Sequence, residues 1–203
     1  MWAAKPPVDK RLSVLEALRD ATRSRHAQLE ASPAMMRLFD ANYSMSEYRE
    51  HLGRLLGLWE PLEQAVADVA GPENPVLKLQ RSGDLIDDLR AMGATTRDID
   101  TLDRYRGFTQ IEAGGLRGYS YVMLGSMMGG RVIVKRLRAV LGPDVKVRFY
   151  GAGNGGFGAL WAAFCADLQK KEGNDVQKIC ATAVAIFEAY AAWFSEPCAG
   201  ERR

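Results

Sequence analysis

The stretch from Gly118 to Leu137, GYSYVMLGSMMGGRVIVKRL, constrains this chain more than any other. It is long enough for about five helical turns and has no proline, yet it carries Gly125, Gly129 and Gly130 in its interior. Each glycine costs a helix roughly 1 kcal/mol relative to alanine, so three together need a reason. Gly125 and Gly129 are four residues apart and share one face, which is left without side chains. A second helix packed at close range would use such a face, and so would a flat ligand laid across the backbone. This stretch alone leaves both open.

The surrounding pattern is helical. Ser13-Val14-Leu15-Glu16 and Ser44-Met45-Ser46-Glu47 both fit a capping box, in which serine and glutamate satisfy each other's end amides. The spacing predicts a helix from Ser13 to the break at Ser32-Pro33, a short piece over Met35 to Phe39, and a long helix from Ser44 to about Val69, ended by Gly71-Pro72. Further helices are expected over Pro75 to Met92, Thr96 to Ile111, the glycine-bearing stretch up to Gly142-Pro143, Phe157 to Lys171 and Asp175 to Phe194. Residues 1–12 read as a flexible N-terminus and 196–203 as a frayed tail. The expected fold is a single all-α domain, a helical bundle, of a size that buries a real core at 203 residues and 47% hydrophobic content.

One segment argues otherwise. VKVRFY, Val145 to Tyr150, alternates like a strand, and Gly151-Ala152-Gly153-Asn154-Gly155-Gly156 matches G-x-G-x-x-G before a helix. That fingerprint needs a parallel sheet around it, and no second strand accompanies it. A glycine-rich bend between helices is the expected structure.

Charge and cysteines narrow the function. The 27 basic and 25 acidic residues nearly cancel, so no overall field favours nucleic acid. No run of about 18 apolar residues spans a bilayer, and no apolar core of a secretory signal follows the first methionine. Cys165, Cys180 and Cys198 are odd in number and form no C-x-x-C; reduced thiols and a cytoplasmic location are expected. Zinc-cluster spacing, a G-x-S-x-G elbow and paired helical carboxylate motifs are all missing.

Of the two histidines, His51 lies in the polar sequence SEYREH and is expected to face solvent. His26 continues a stripe of Leu15, Leu18, Thr22 and Leu29. It reads either as a satisfied core residue or as a metal ligand oriented by Glu30 one turn later. An imidazole paired with a bare glycine backbone is what a heme needs on its two faces.

Two segments make that pairing specific. LRDATRSRHAQLE, Leu18 to Glu30, resembles the proximal-helix motif of heme oxygenases, and YVMLGSMMGGRVI, Tyr121 to Ile133, resembles their distal helix. FYGAGNGGFGALWAAF and FEAYAAWF are similar to the last two helices of that family. The resemblance covers nearly the whole chain and is strongest to the bacterial branch associated with bacteriophytochromes. It implies the all-α heme oxygenase fold, with heme as substrate and cofactor, and His26 as iron ligand with Glu30 beside it. Gly125 and Gly129 would form the distal wall, Gly130 would let the helix bend, and Arg19 would meet a heme propionate. The implied reaction takes heme, O2 and electrons from an external ferredoxin or flavoprotein reductase to biliverdin, carbon monoxide and ferrous iron. A bacteriophytochrome is the implied acceptor.

Two departures stand out. Ser126 occupies the place of a distal aspartate that orders water in many members; a serine hydrogen-bonds but carries no charge. Gly158 and Ala162 stand where basic residues often grip the propionates, which leaves Arg131, Lys135 or Arg136 for that task. These departures motivate a rival reading, a heme- or tetrapyrrole-binding protein of the same fold that does not degrade its ligand. A bundle without heme, with His26 in the core, is a third.

Overall fold

The computed structural model describes residues 13–108, 111–151, 156–170 and 173–195. The N-terminus, the tail with Cys198, and residues 152–155 of the glycine-rich bend lie outside these. Nine α-helices are described: α1 (Val14–Glu30), α2 (Pro33–Arg37), α3 (Met45–Ala70), α4 (Ser82–Ala91), α5 (Thr96–Asp100), α6 (Leu116–Leu141), α7 (Arg148–Gly151), α8 (Phe157–Leu168) and α9 (Asn174–Ser195). Among the described residues there is no strand. Val145 to Tyr150, the strand-like alternation, instead leads into the short α7.

Both capping boxes form. The Glu16 and Glu47 carboxylates accept the backbone N–H of Ser13 and of Ser44, each at 2.8 Å, and the serine oxygens accept in return. Gly71 (φ 73°) ends α3 and Gly142 (φ 101°) ends α6, in a backbone conformation that other residues reach at a cost.

Two expected helices are shorter than their periodicity suggests, and α3 is the cause in both. Pro61 lies inside α3 and has no N–H to give the Gly57 carbonyl one turn back. That carbonyl instead accepts from Tyr105 N at 2.9 Å. The chain after α5 is thereby drawn across α3, and the helix expected over Thr96 to Ile111 stops at Asp100. Gly57 permits the crossing: a Cβ there would stand 2.4 Å from the Asp103 carbonyl oxygen. The helix expected over Pro75 to Met92 is likewise divided. A 3-10 turn, Pro75–Leu79, and an extended Gln80 precede α4. The buried carboxylate of Glu63, on α3, accepts the N–H of Arg81 and of Ser82 and so supplies the start of α4.

α6 runs unbroken through all its glycines at the centre of the bundle. On one side it packs against α9, which carries α1 in turn; on the other lie α3 and α7, which carry α4, and α8 also rests on it. Gly118 sets the α6–α9 crossing, since a Cβ there would stand 2.3 Å from the Ile179 carbonyl oxygen. Tyr48, Leu52, Leu56 and Leu62 of α3 and Tyr119 and Met123 of α6 form a fully enclosed centre. No helix among the described residues is long and apolar enough to cross a membrane.

Candidate functional site

α1 and α6 meet at a polar contact, Thr22 Oγ1 to Tyr121 Oη at 3.4 Å. His26 lies one turn beyond Thr22 and Gly125 one turn beyond Tyr121. The imidazole and the bare backbone are therefore each about 6 Å along their helices from the same junction. Leu18 and Thr22 are buried, but His26 emerges from their stripe with 55% of its side chain exposed. Its ring meets Phe187 of α9 edge-on, and its Nδ1 faces the Glu30 carboxylate at 3.5 Å. That distance makes Glu30 a charge neighbour rather than a tight hydrogen-bond partner. With Nδ1 turned to Glu30, Nε2 is the ring nitrogen directed away from that carboxylate.

The glycines of α6 serve different ends. A Cβ on Gly125 or Gly129 would meet no described atom within 4 Å. With Met128 (56% exposed) and Val132 (62% exposed) they form a stripe at steps of three, one and three that no described element covers. Met36 and Phe39 at the end of α2 and Leu160 of α8 are also exposed apolar residues. Close packing of a helix is thus not what Gly125 and Gly129 serve. Gly130 differs. A Cβ there would lie 2.3 Å from the carbonyl oxygen of Tyr150, so its bare backbone answers to α7; α6 runs on through it as helix.

Ser126 is beside this stripe, and its hydroxyl donates to the Met123 carbonyl at 2.8 Å. Its proton is committed to the helix, and its oxygen remains an acceptor. Arg19 is exposed on α1, near Glu16. Glu30, equally exposed, holds the position one turn past His26. Of the three α6 cations expected at the propionates, Arg136 donates to the Phe39 carbonyl at 2.7 Å, Arg131 stands 6.0 Å over the Phe157 ring, and Lys135 is exposed. α8 has no basic residue between Phe157 and Leu168, and Gly158 and Ala162 are exposed. Among the described residues no three His, Cys, Asp or Glu side chains group to hold a metal ion.

His51 departs most from its sequence expectation. It is buried, with Nε2 2.6 Å from the Tyr150 hydroxyl. Burial pushes its pKa down to about 3, with the Arg54 charge adding to the effect, so the ring is neutral. The local polarity of SEYREH hides this, because the partner lies 99 residues away. Phe187 was visible only as part of FEAYAAWF, with nothing to tie it to His26.

A family model described as heme oxygenase matches residues 12–196. Among solved structures, the chain is similar to the heme oxygenase from Leptospira interrogans. The TM-score is 0.69 at 21% identity, covering 92% of this chain and all of that one. It is also similar to heme oxygenase-1 from the cyanobacterium Synechocystis sp. PCC6803 in complex with heme, with a TM-score of 0.68 at 18% identity, covering 90% and 91% of the two chains. At these identities the likeness is one of fold. No curated protein matches the chain in sequence.

Proposed function

The chain belongs to the heme oxygenase family, and on that premise we propose that it binds heme between α1 and α6 through His26 and cleaves it to biliverdin, carbon monoxide and ferrous iron. The uncovered stripe of Gly125, Met128, Gly129 and Val132 carries this reading. A flat apolar wall and an available imidazole, each one turn from the Thr22–Tyr121 contact, fit a porphyrin face and its axial ligand. Bound heme supplies both the iron at which O2 is reduced and the ring that is opened; the electrons come from an external ferredoxin or reductase.

The chain's own residues bind, orient and exclude water. His26 presents its ring Nε2, and Glu30, facing Nδ1, helps to orient the imidazole. Phe187 limits rotation of the imidazole. Gly125 and Gly129 let the helix backbone itself approach the ligand plane, and Met128 and Val132 keep water from its edge. Ser126 offers its oxygen to a water molecule at the rim. Arg19, Arg131 and Lys135 are the cations for the propionates, in place of the α8 residues that this chain lacks.

That lack, together with the turned-back Ser126 hydroxyl, favours one second reading, a protein that holds heme without degrading it. Hemin titration separates the two from a heme-free bundle, and ascorbate or a ferredoxin system in air, with catalase present, separates them from each other. Biliverdin and carbon monoxide formed together support the enzyme. Hemin bound through His26, with neither product from any competent reductant, leaves the binding protein.

A further inference from the structure

Gly129 and Gly130 are adjacent in α6 and point about 100° apart. One opens on the uncovered stripe, and the other is pressed by the Tyr150 carbonyl, with the Tyr150 carbonyl carbon at 3.2 Å and Cα at 3.3 Å from the position a Cβ would take. At this level the wall is a single backbone thick. We propose that Tyr150 is a positioning residue for that wall: held at its hydroxyl by His51 and carried on a turn pinned by Asp88, it sets how far α6 stands into the cleft. The proposal rests on the heme reading above.

α7 has four residues and cannot hold itself together as an isolated helix. Its first two amides, Arg148 N and Phe149 N, each donate to the fully buried carboxylate of Asp88 on α4, both at 3.0 Å. α4 is anchored in turn by Glu63 of α3. From α3 also come Tyr48, whose hydroxyl donates to the Lys146 carbonyl at 3.1 Å, and His51, which meets the Tyr150 hydroxyl. The Tyr150 and His51 rings lie nearly parallel, 15° apart with centroids at 6.2 Å. α3, α4 and α7 thus close a loop of buried polar contacts whose free end is the carbonyl behind Gly130. The front of α6 has no such support at Gly125 or Gly129, so its depth is set from the back. Backbone presses on backbone there, and no side-chain rotation can absorb a shift.

The test removes only the hydroxyl, with Tyr150→Phe. In the heme-free protein, amide hydrogen exchange over Met127 to Val134 should quicken about five- to tenfold, while Leu116 to Met123, tied to α9 through Gly118, should hold. Hemin affinity should fall and its Soret band move. His51→Leu should reproduce both changes; His51→Gln, whose amide can still meet the Tyr150 hydroxyl, should restore much of each. If Tyr150→Phe does not fold, the two His51 variants make the same comparison. Unchanged exchange over Met127 to Val134, or an equal rise throughout the protein, overturns the proposal. So does altered exchange with unaltered hemin binding. A wild-type protein that binds no hemin fails the heme reading and takes the wall's purpose with it, although the exchange data still judge the clamp itself.

Discussion

The imidazole of His26 and the ring of Phe187 stand edge to face, their centroids 5.7 Å apart and their planes at 68°. α1 rests on α9 at this point, and the Arg25–Glu188 ion pair lies alongside. The contact leaves the imidazole half exposed while denying it free rotation. His26→Ala loses an aromatic pair worth about 0.5–1.5 kcal/mol and no buried group, so the protein should stay folded. The hemin spectrum of a histidine-bound iron should disappear, and added imidazole should restore much of it. A mutant with an unchanged Soret band would remove His26 from the site.

Gly129 and Gly130 predict opposite outcomes for substitution. Gly129→Leu relieves a helical glycine costing roughly 1 kcal/mol, and its Cβ meets no described atom within 4 Å. Thermal stability should hold or rise while hemin affinity falls. Gly130→Ala drives a methyl into the Tyr150 carbonyl, a main-chain atom that cannot swing aside. Stability should fall by about 1–3 kcal/mol. Urea denaturation of the heme-free variants reads both. A Gly129 variant that lost stability as well would point to helix packing on that face.

What could be read from the sequence was local in chain or repeated along one face. The serine–glutamate boxes at Ser13 and Ser44, the stops at Gly71 and Gly142, and the shared face of Gly125 and Gly129 all belong to this kind. What could not be read depends on partners far away. Nothing near Pro61 says that Tyr105 will take the carbonyl it frees, and nothing near Glu63 says that it will start α4. Gly130 is the same letter as Gly129, and only Tyr150 distinguishes them. His51 sits among charged residues and is nonetheless enclosed, because α7 covers it.

Ser126 should tune the reaction without supporting it alone. Its proton is spent on Met123 O, so it can only accept from a rim water. Ser126→Ala should leave hemin affinity unchanged. A neutral hydrogen bond contributes about 1 kcal/mol, so the biliverdin yield should fall by less than about tenfold. Loss of all biliverdin with hemin still bound would give Ser126 a larger part than this geometry allows.

The last prediction concerns acid. His51 is neutral in the fold, its pKa pushed down to about 3 by burial and then by Arg54, with the uncharged Tyr150 hydroxyl as its hydrogen-bond partner. In the unfolded chain it titrates near 6.5. Below that pH the unfolded chain takes up a proton that the fold refuses, so His51 lowers stability as pH falls from about 6.5 toward 3. Buried Glu63 and Asp88 act with the opposite sign. Burial raises their pKa against the hydrogen bonds they accept, so the fold keeps protons the unfolded carboxylates have released, and that stability is lost as pH rises through the folded values. The wild-type profile sums all three, and comparison with His51→Gln isolates the histidine. Between pH 7.5 and pH 5 the wild type should lose about 2 kcal/mol more than the variant, read from urea midpoints at constant ionic strength. Parallel profiles for the two proteins would mean that the ring takes up its proton in the fold as readily as in the unfolded chain, and that its bond to Tyr150 is not the neutral one described.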